Sequence, residues 1–201
     1  MKKAELIKYF KARFPAVNEG GGDWRFTLID DETAYSHMRP KLGGTQLNQY
    51  IGISFVMNPR WFNELGAAIF QDVAGPYLIS TGDGCVQVNA NGPVAEAHLE
   101  EAILKAKQWY QRCCTQEVME EIAPMLKRKY EVYNRPGGWQ FIHIIACVLK
   151  GDVEKLQSYL DAFKRGDRME FIPMIHQEYF ERAIPLAEKY RSGELVSPVR
   201  F

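Results

Sequence analysis

Residues 47 to 57 read Leu-Asn-Gln-Tyr-Ile-Gly-Ile-Ser-Phe-Val-Met, and their alternation decides the fold class. Ile51, Ile53, Phe55 and Met57 fall on one side of an extended chain, with Tyr50, Gly52 and Ser54 on the other. A period of two over that length is the mark of a half-buried strand. Asn58-Pro59 ends it and opens a short helix through Trp61, Phe62 and Leu65. The same period recurs upstream, where Trp24, Phe26 and Leu28 oppose Arg25 and Thr27 until Asp30-Asp31-Glu32 closes the run. Downstream, Tyr77 to Ser80 and Cys85 to Asn89 flank Thr81-Gly82-Asp83-Gly84, whose glycines supply the positive φ of a tight reversal, so a β-hairpin is expected. Gly20-Gly21-Gly22 reads as a flexible link.

On either side of these strands the period lengthens to that of a helix. Leu6, Ile7, Phe10 and Phe14 predict an amphipathic helix stopped by Pro15. Pro93 opens a long one with Leu99, Ala102, Ile103, Ala106, Trp109 and Cys113 on its apolar stripe. A second runs from about Gln116 to Tyr133 and is broken by Asn134-Arg135-Pro136-Gly137-Gly138. Trp139 to Leu149 is apolar nearly all round, which makes it a central buried element; helix is the preferred reading because Gly151 stands at a C-terminal cap and Asp152 at the next N-cap. Asp152 to Phe163 and about Pro173 to Arg191 complete the helical set. The expected fold class is therefore α+β: an N-terminal helix and an antiparallel sheet of about four strands packed against four or five C-terminal helices. A single domain over residues 1–201 is expected, β-rich over 1–92 and helical over 93–201.

Composition narrows the function classes. Lys plus Arg and Asp plus Glu both number 25, so no net field draws a polyanion or an anionic membrane, and nucleic acid and membrane are not expected partners. The run Lys127-Arg128-Lys129 falls in a helix and reads as a solvated face. After Met1-Lys2-Lys3 the charged Glu5, Lys8, Lys11 and Arg13 interleave with apolar residues, so no signal peptide is expected. Cys85, Cys113, Cys114 and Cys147 show no ligand or disulfide spacing, and free thiols in a cytoplasmic protein are the reading.

Candidate chemistry is sparse. His143 and Cys147 lie four residues apart on one helix face, but two ligands make no metal site, and a thiol in so apolar a stretch stays protonated. His176 with Glu178 and Glu181 is an acid and base group at helical spacing, a pattern that more often marks a solvated face. No catalytic residue, cofactor or metal centre is expected. Large amphipathic side chains beside predicted loops are more informative: Tyr35, His37 and Arg39 before the long strand, Trp61 after it, and Arg135 between helices. With Asp30, Asp31 and Glu32 in the acidic turn and Asp83 in the glycine turn, they form the expected partner-binding set.

In organisation the chain resembles the small cytoplasmic immunity proteins by which bacteria neutralise toxins delivered by neighbours. The features that carry the resemblance are the neutral single domain, the segment Tyr77 to Asn89 with its Gly82-Asp83-Gly84 turn, and the helical cap containing Gly151-Asp152-Val153-Glu154. The resemblance implies a protein partner, a toxin acting in the cytoplasm, and an inhibitor that covers its active site. The alternative is a small-molecule binder or hydrolase-type enzyme with a pocket between sheet and helices, using His37, His176 or Glu178. A structural subunit of a larger assembly is a third reading. Oligomeric state stays open.

Overall fold

The computed structural model describes residues 1–71, 76–80, 86–114, 116–135 and 138–201. In chain order these form α1 (Lys3–Lys11), β1 (Ala16–Gly20), β2 (Asp23–Asp30), β3 (Ala34–Gly44), β4 (Gln49–Pro59), α2 (Arg60–Phe70), β5 (Ile79–Ser80), β6 (Val86–Asn89), α3 (Glu96–Cys113), α4 (Gln116–Glu131), α5 (Gly138–Lys150), α6 (Val153–Lys164) and α7 (Gln177–Ser192). The class is α+β, with an N-terminal helix, an antiparallel sheet and C-terminal helices in that order. The chain divides into two compact units: Met1–Arg60 with Tyr77–Thr115, and Trp61–Pro76 with Gln116–Phe201.

In the first unit the sheet runs β1-β2-β3-β4-β5, with β6 also paired to β4. Six strands among the described residues replace the four expected. One addition is β1, exposed at every position and therefore without any alternation to read. The other is β3, whose Pro-Lys-Leu-Gly-Gly end looks like loop yet pairs with β4 without a break from Ala34↔Pro59 to Gly44↔Gln49. Tyr35, His37 and Arg39 are thus strand residues, not loop residues. Gly20, Gly21 and Gly22, all at positive φ, form the turn between β1 and β2 instead of a loose link.

The expected hairpin is corrected too. Its turn, with Asp83, and Cys85 of the second arm lie outside the described residues, but the rest of both arms is described. β5 pairs antiparallel with Val56 and Met57 and β6 pairs antiparallel with Tyr50 to Ile53. They run in the same direction along the edge of β4 that β3 leaves free, so they are not partners of one another.

The long strand behaves as its alternation predicts. Ile51, Ile53, Phe55 and Met57 are all buried, together with Phe26 and Met38 of the neighbouring strands, against Leu6 and Phe10 of α1 and Leu99, Ala102, Ala106 and Trp109 of α3. Phe55 stacks on Trp109 with centroids 5.3 Å apart, and Phe10 lies 5.3 Å from Phe26. Two helices therefore cover one face of the sheet; the other carries Tyr35, His37, Arg39 and Lys41 of β3 beside Ser54 and buried Val56 of β4.

The second unit is built round α5, in which every residue from Gln140 to Leu149 is buried. Helix is the observed state, as the cap signals predicted: Gly151 has φ 70 and the Asp152 carboxylate accepts from the Lys155 N–H at 3.1 Å. Helices α4, α6 and α7 pack with it, and Phe70 of α2 meets Phe141 edge-on at 5.0 Å. Buried Gln140 is satisfied at both ends, donating to Glu170 O at 3.1 Å and accepting from Ile172 N at 2.8 Å. α7 begins at Gln177, four residues after the expected Pro173, because the stretch from Arg168 to Ile175 folds into turns held by the Arg168 guanidinium on the carbonyls of Ile172 and Ile175. Among the described residues no helix is long and apolar enough to cross a membrane.

Candidate functional site

The polar face of the sheet gathers most of the first unit's unusual side chains. Strand alternation puts Tyr35, His37 and Arg39 on one side of β3. Register sets Arg39 opposite Ser54 and His37 opposite Thr27 and Val56. Arg39 holds Glu19 of β1 in a bidentate grip, Nε to Oε2 at 2.6 Å and Nη2 to Oε1 at 2.8 Å, while Arg25 Nη1 stands 4.0 Å from the same carboxylate. That grip holds the Glu19 carboxyl below its usual range. Beside it, Lys41 has no ion-pair partner among the described residues. Three cations, Arg25, Arg39 and Lys41, therefore face one carboxylate.

His37 is the exceptional group. It is completely buried, its ring lies 4.9 Å from Tyr77 and 5.9 Å from Tyr35 in edge-on contacts, and neither ring nitrogen has a hydrogen-bond partner among the described residues. Burial first, then the positive charges of Arg39 and Arg25, push its pKa down to about 3, so the ring is neutral at physiological pH. Arg25 Nε, on the same face, is likewise buried without a partner. Buried polar groups are rarely left unpaired, and both of these lie beneath the surface of the face.

The face also has an opening through the sheet. Gln49 donates to Gly92 O at 3.1 Å and accepts from Ala90 N at 2.8 Å, so the odd residues of β4 turn their backbone towards β6 and the even ones towards β3. On β3, residues 39, 41 and 43 then bond to β4, and Met38, Pro40 and Leu42 turn their backbone towards β2. From the other side, Thr27 N bonds Pro15 O, which turns Phe26 and Trp24 towards β3. Continuing the register Phe26↔Met38 would set Trp24 against Pro40. Pro40 has no N–H to give, and the β2–β3 ladder stops at Met38. A cleft of about 490 Å³ lies there, lined by Gly22 and Trp24 of the β1–β2 hairpin, Pro40 and Leu42 of β3, and Leu6 and Ile7 of α1. A smaller cavity of about 270 Å³ adjoins it, sharing Arg39, Lys41 and Ser54 and adding Tyr50 and Gln87.

The remaining expected residues are dispersed. Asp31 closes the β2–β3 turn, accepting from Thr33 N, Thr33 Oγ1 and Ala34 N at 2.7 to 3.0 Å, and Asp30 pairs with Arg60. Glu32 is exposed. Trp61 and Arg135 belong to the other unit, where Trp61 meets Phe62 edge-on at 5.7 Å and the Arg135 guanidinium lies 5.0 Å from the Trp139 ring. His176 precedes α7 and contacts Tyr179 at 5.3 Å; Glu178 is exposed in its first turn. Sequence reasoning missed Glu19, Arg25, Lys41 and Tyr50. The spacing Tyr35, His37, Arg39, Lys41 was a legible signal for part of the face, whereas Glu19 is brought there only by pairing.

His143 and Cys147 form a buried polar cluster with a structural role. Nδ1 of His143 lies 2.7 Å from Lys129 O, a carbonyl in the last turn of α4 without an intrahelical partner, so Nδ1 carries the proton. Nε2 then accepts from Tyr159 Oη at 3.1 Å, with Cys147 Sγ at 3.4 Å. Burial lowers the His143 pKa to about 4 and raises that of the Cys147 thiol, which leaves both neutral. Among the described residues no group of three or more His, Cys, Asp or Glu side chains is placed to hold a metal ion.

In comparison with known proteins, the model of a family of unknown function, DUF6990, matches residues 2–188. The chain belongs to that family. The match takes in both compact units of this DUF6990 member and all but the last residues of α7. No curated protein and no solved structure matches the chain significantly.

Proposed function

We propose that this DUF6990 chain is a non-enzymatic protein-binding protein of the immunity type, which works in the cytoplasm by covering the active site of a toxin. The observation that supports the reading is the polar sheet face, where the cations Arg25, Arg39 and Lys41 gather round the carboxylate of Glu19. Such a face is short of acceptors. A partner surface rich in carboxylates and carbonyls supplies them, and each charge-assisted bond formed in a desolvated interface contributes roughly 1.5 to 3 kcal/mol.

A second reading has the cavity beside Lys41 and Tyr50 holding a small anion. At about 270 Å³ that cavity falls below the roughly 300 to 1,000 Å³ of ordinary ligand sites, whereas the adjoining cleft of about 490 Å³ falls within them.

The test is recovery of the cross-linked chain from its native cytoplasm beside the Lys41→Glu variant. A stoichiometric protein lost from the variant, whose toxicity the wild-type chain suppresses on co-expression, is the expected result. A retained metabolite or metal, or a partner indifferent to Lys41→Glu, overturns it.

A further inference from the structure

We infer that the gap between β2 and β3 is a docking slot for one extended segment of an acidic protein partner, which adds as a strand to the open edge of β3 opposite Pro40 to Gly44. The inference rests on the protein-binding reading and names what is bound and how.

Backbone chemistry defines the slot. Leu42 turns both its N–H and its C=O away from β4, and the strand that would have met them, β2, has left the ladder after Met38. Trp24 on the opposite wall turns its own N–H and C=O inward. An open strand edge is a template for another chain. Pro40 sits where its missing N–H spoils only the bond to β2, so the slot is opened without weakening the β3–β4 pairing. At about 3.3 Å per residue the open stretch from Pro40 to Gly44 spans roughly 13 Å, enough for four or five residues of an incoming strand.

Side chains set the occupant's pattern. An added strand presents alternate residues to the two faces of the sheet. On the inner side it meets Ile7, Trp24 and Leu42, a wall that takes apolar side chains. On the outer side it meets Arg39 and Lys41, and a cross-strand neighbour of Lys41 stands within about 5.5 Å of it. Arg39 is committed to Glu19 and Lys3 to Asp23, so the cation left for the partner is Lys41. The fitting segment alternates acidic and apolar residues.

The experiment uses the isotopically labelled full chain and the capped peptide Glu-Val-Glu-Val-Glu at millimolar concentration and low salt. The expected result is at least tenfold slower hydrogen exchange at the Leu42 and Trp24 amides. A peptide N-methylated at every residue gives no protection. The Lys41→Glu variant binds Glu-Val-Glu-Val-Glu at least tenfold more weakly and prefers Lys-Val-Lys-Val-Lys. Equal protection by the methylated peptide, or no protection by the unmodified one, overturns the inference. So does a free chain that sediments as a dimer with Leu42 already protected, since the slot would then belong to a second copy. A partner recovered from cytoplasm that leaves Leu42 exchange unchanged sinks the slot alone and leaves the protein-binding reading standing.

Discussion

The Arg39 guanidinium holds the Glu19 carboxylate through two parallel bonds, Nε to Oε2 at 2.6 Å and Nη2 to Oε1 at 2.8 Å, and so ties the edge strand β1 to β3 across the intervening β2. Both side chains are partly exposed, which limits the pair to about 0.5 to 1 kcal/mol. Glu19→Gln is expected to lower stability by that amount at pH 7. Because the folded-state pKa of Glu19 is depressed, this contribution is present above the ordinary carboxylate range and lost as pH falls through the folded value. Urea titrations of both proteins at pH 7 and pH 3 should show the difference at pH 7 and little at pH 3.

His37 titrates with the same sign for a different reason. Its pKa is about 3 when folded and near 6.5 when unfolded, so the unfolded chain gains a proton first as pH falls. The loss begins near pH 6.5 and reaches about 2 kcal/mol by pH 5. Replacing the ring by leucine removes two unpaired buried nitrogens together with the titration. His37→Leu should therefore unfold at nearly the same urea concentration as wild type at pH 8 and at a higher one at pH 5; parallel pH profiles for the two proteins would show that the ring is not buried and neutral.

In the other unit, His143 donates to the otherwise orphaned carbonyl of Lys129. His143→Ala leaves that carbonyl unpaired and opens a cavity, for a combined loss of about 3 kcal/mol. His143→Gln keeps an N–H donor and should recover part of it. Equal midpoints for the two variants in chemical denaturation would mean that the bond contributes nothing beyond packing.

Gly44 ends β3 at φ 87, and a Cβ there would stand 2.0 Å from the Asn48 carbonyl oxygen. Gly20, at φ 90, has nothing within 4 Å of the same position. Both carry the strain of a positive φ, about 1 kcal/mol for alanine, but only Gly44→Ala adds a clash with backbone. Its thermal midpoint should fall well below that of Gly20→Ala.

Legibility followed the strength of local pattern. The strand through Ile51 to Met57, the helix after Pro93 and the capped pair Gly151-Asp152 all announce themselves, because burial on one side imposes a period and a cap imposes residue types. β1 offers no period, and β3 carries Pro40, Gly43 and Gly44, whose own preferences argue against a strand. Of the expected surface residues, Tyr35, His37 and Arg39 do share one face, while Asp30 and Asp31 serve the turn and Arg60.

The amino-acid order alone determined the α+β class and the inward set Ile51, Ile53, Phe55 and Met57, and its caps favoured a helix for Trp139 to Leu149 that the structure then fixed, because each depends on interactions within a few residues along the chain. Tertiary structure decided that β5 and β6 share an edge of β4, that Glu19 reaches Arg39, and that the ladder opens at Pro40. Those outcomes depend on which strands become neighbours and in what register, a choice made by long-range pairing that no local preference contains.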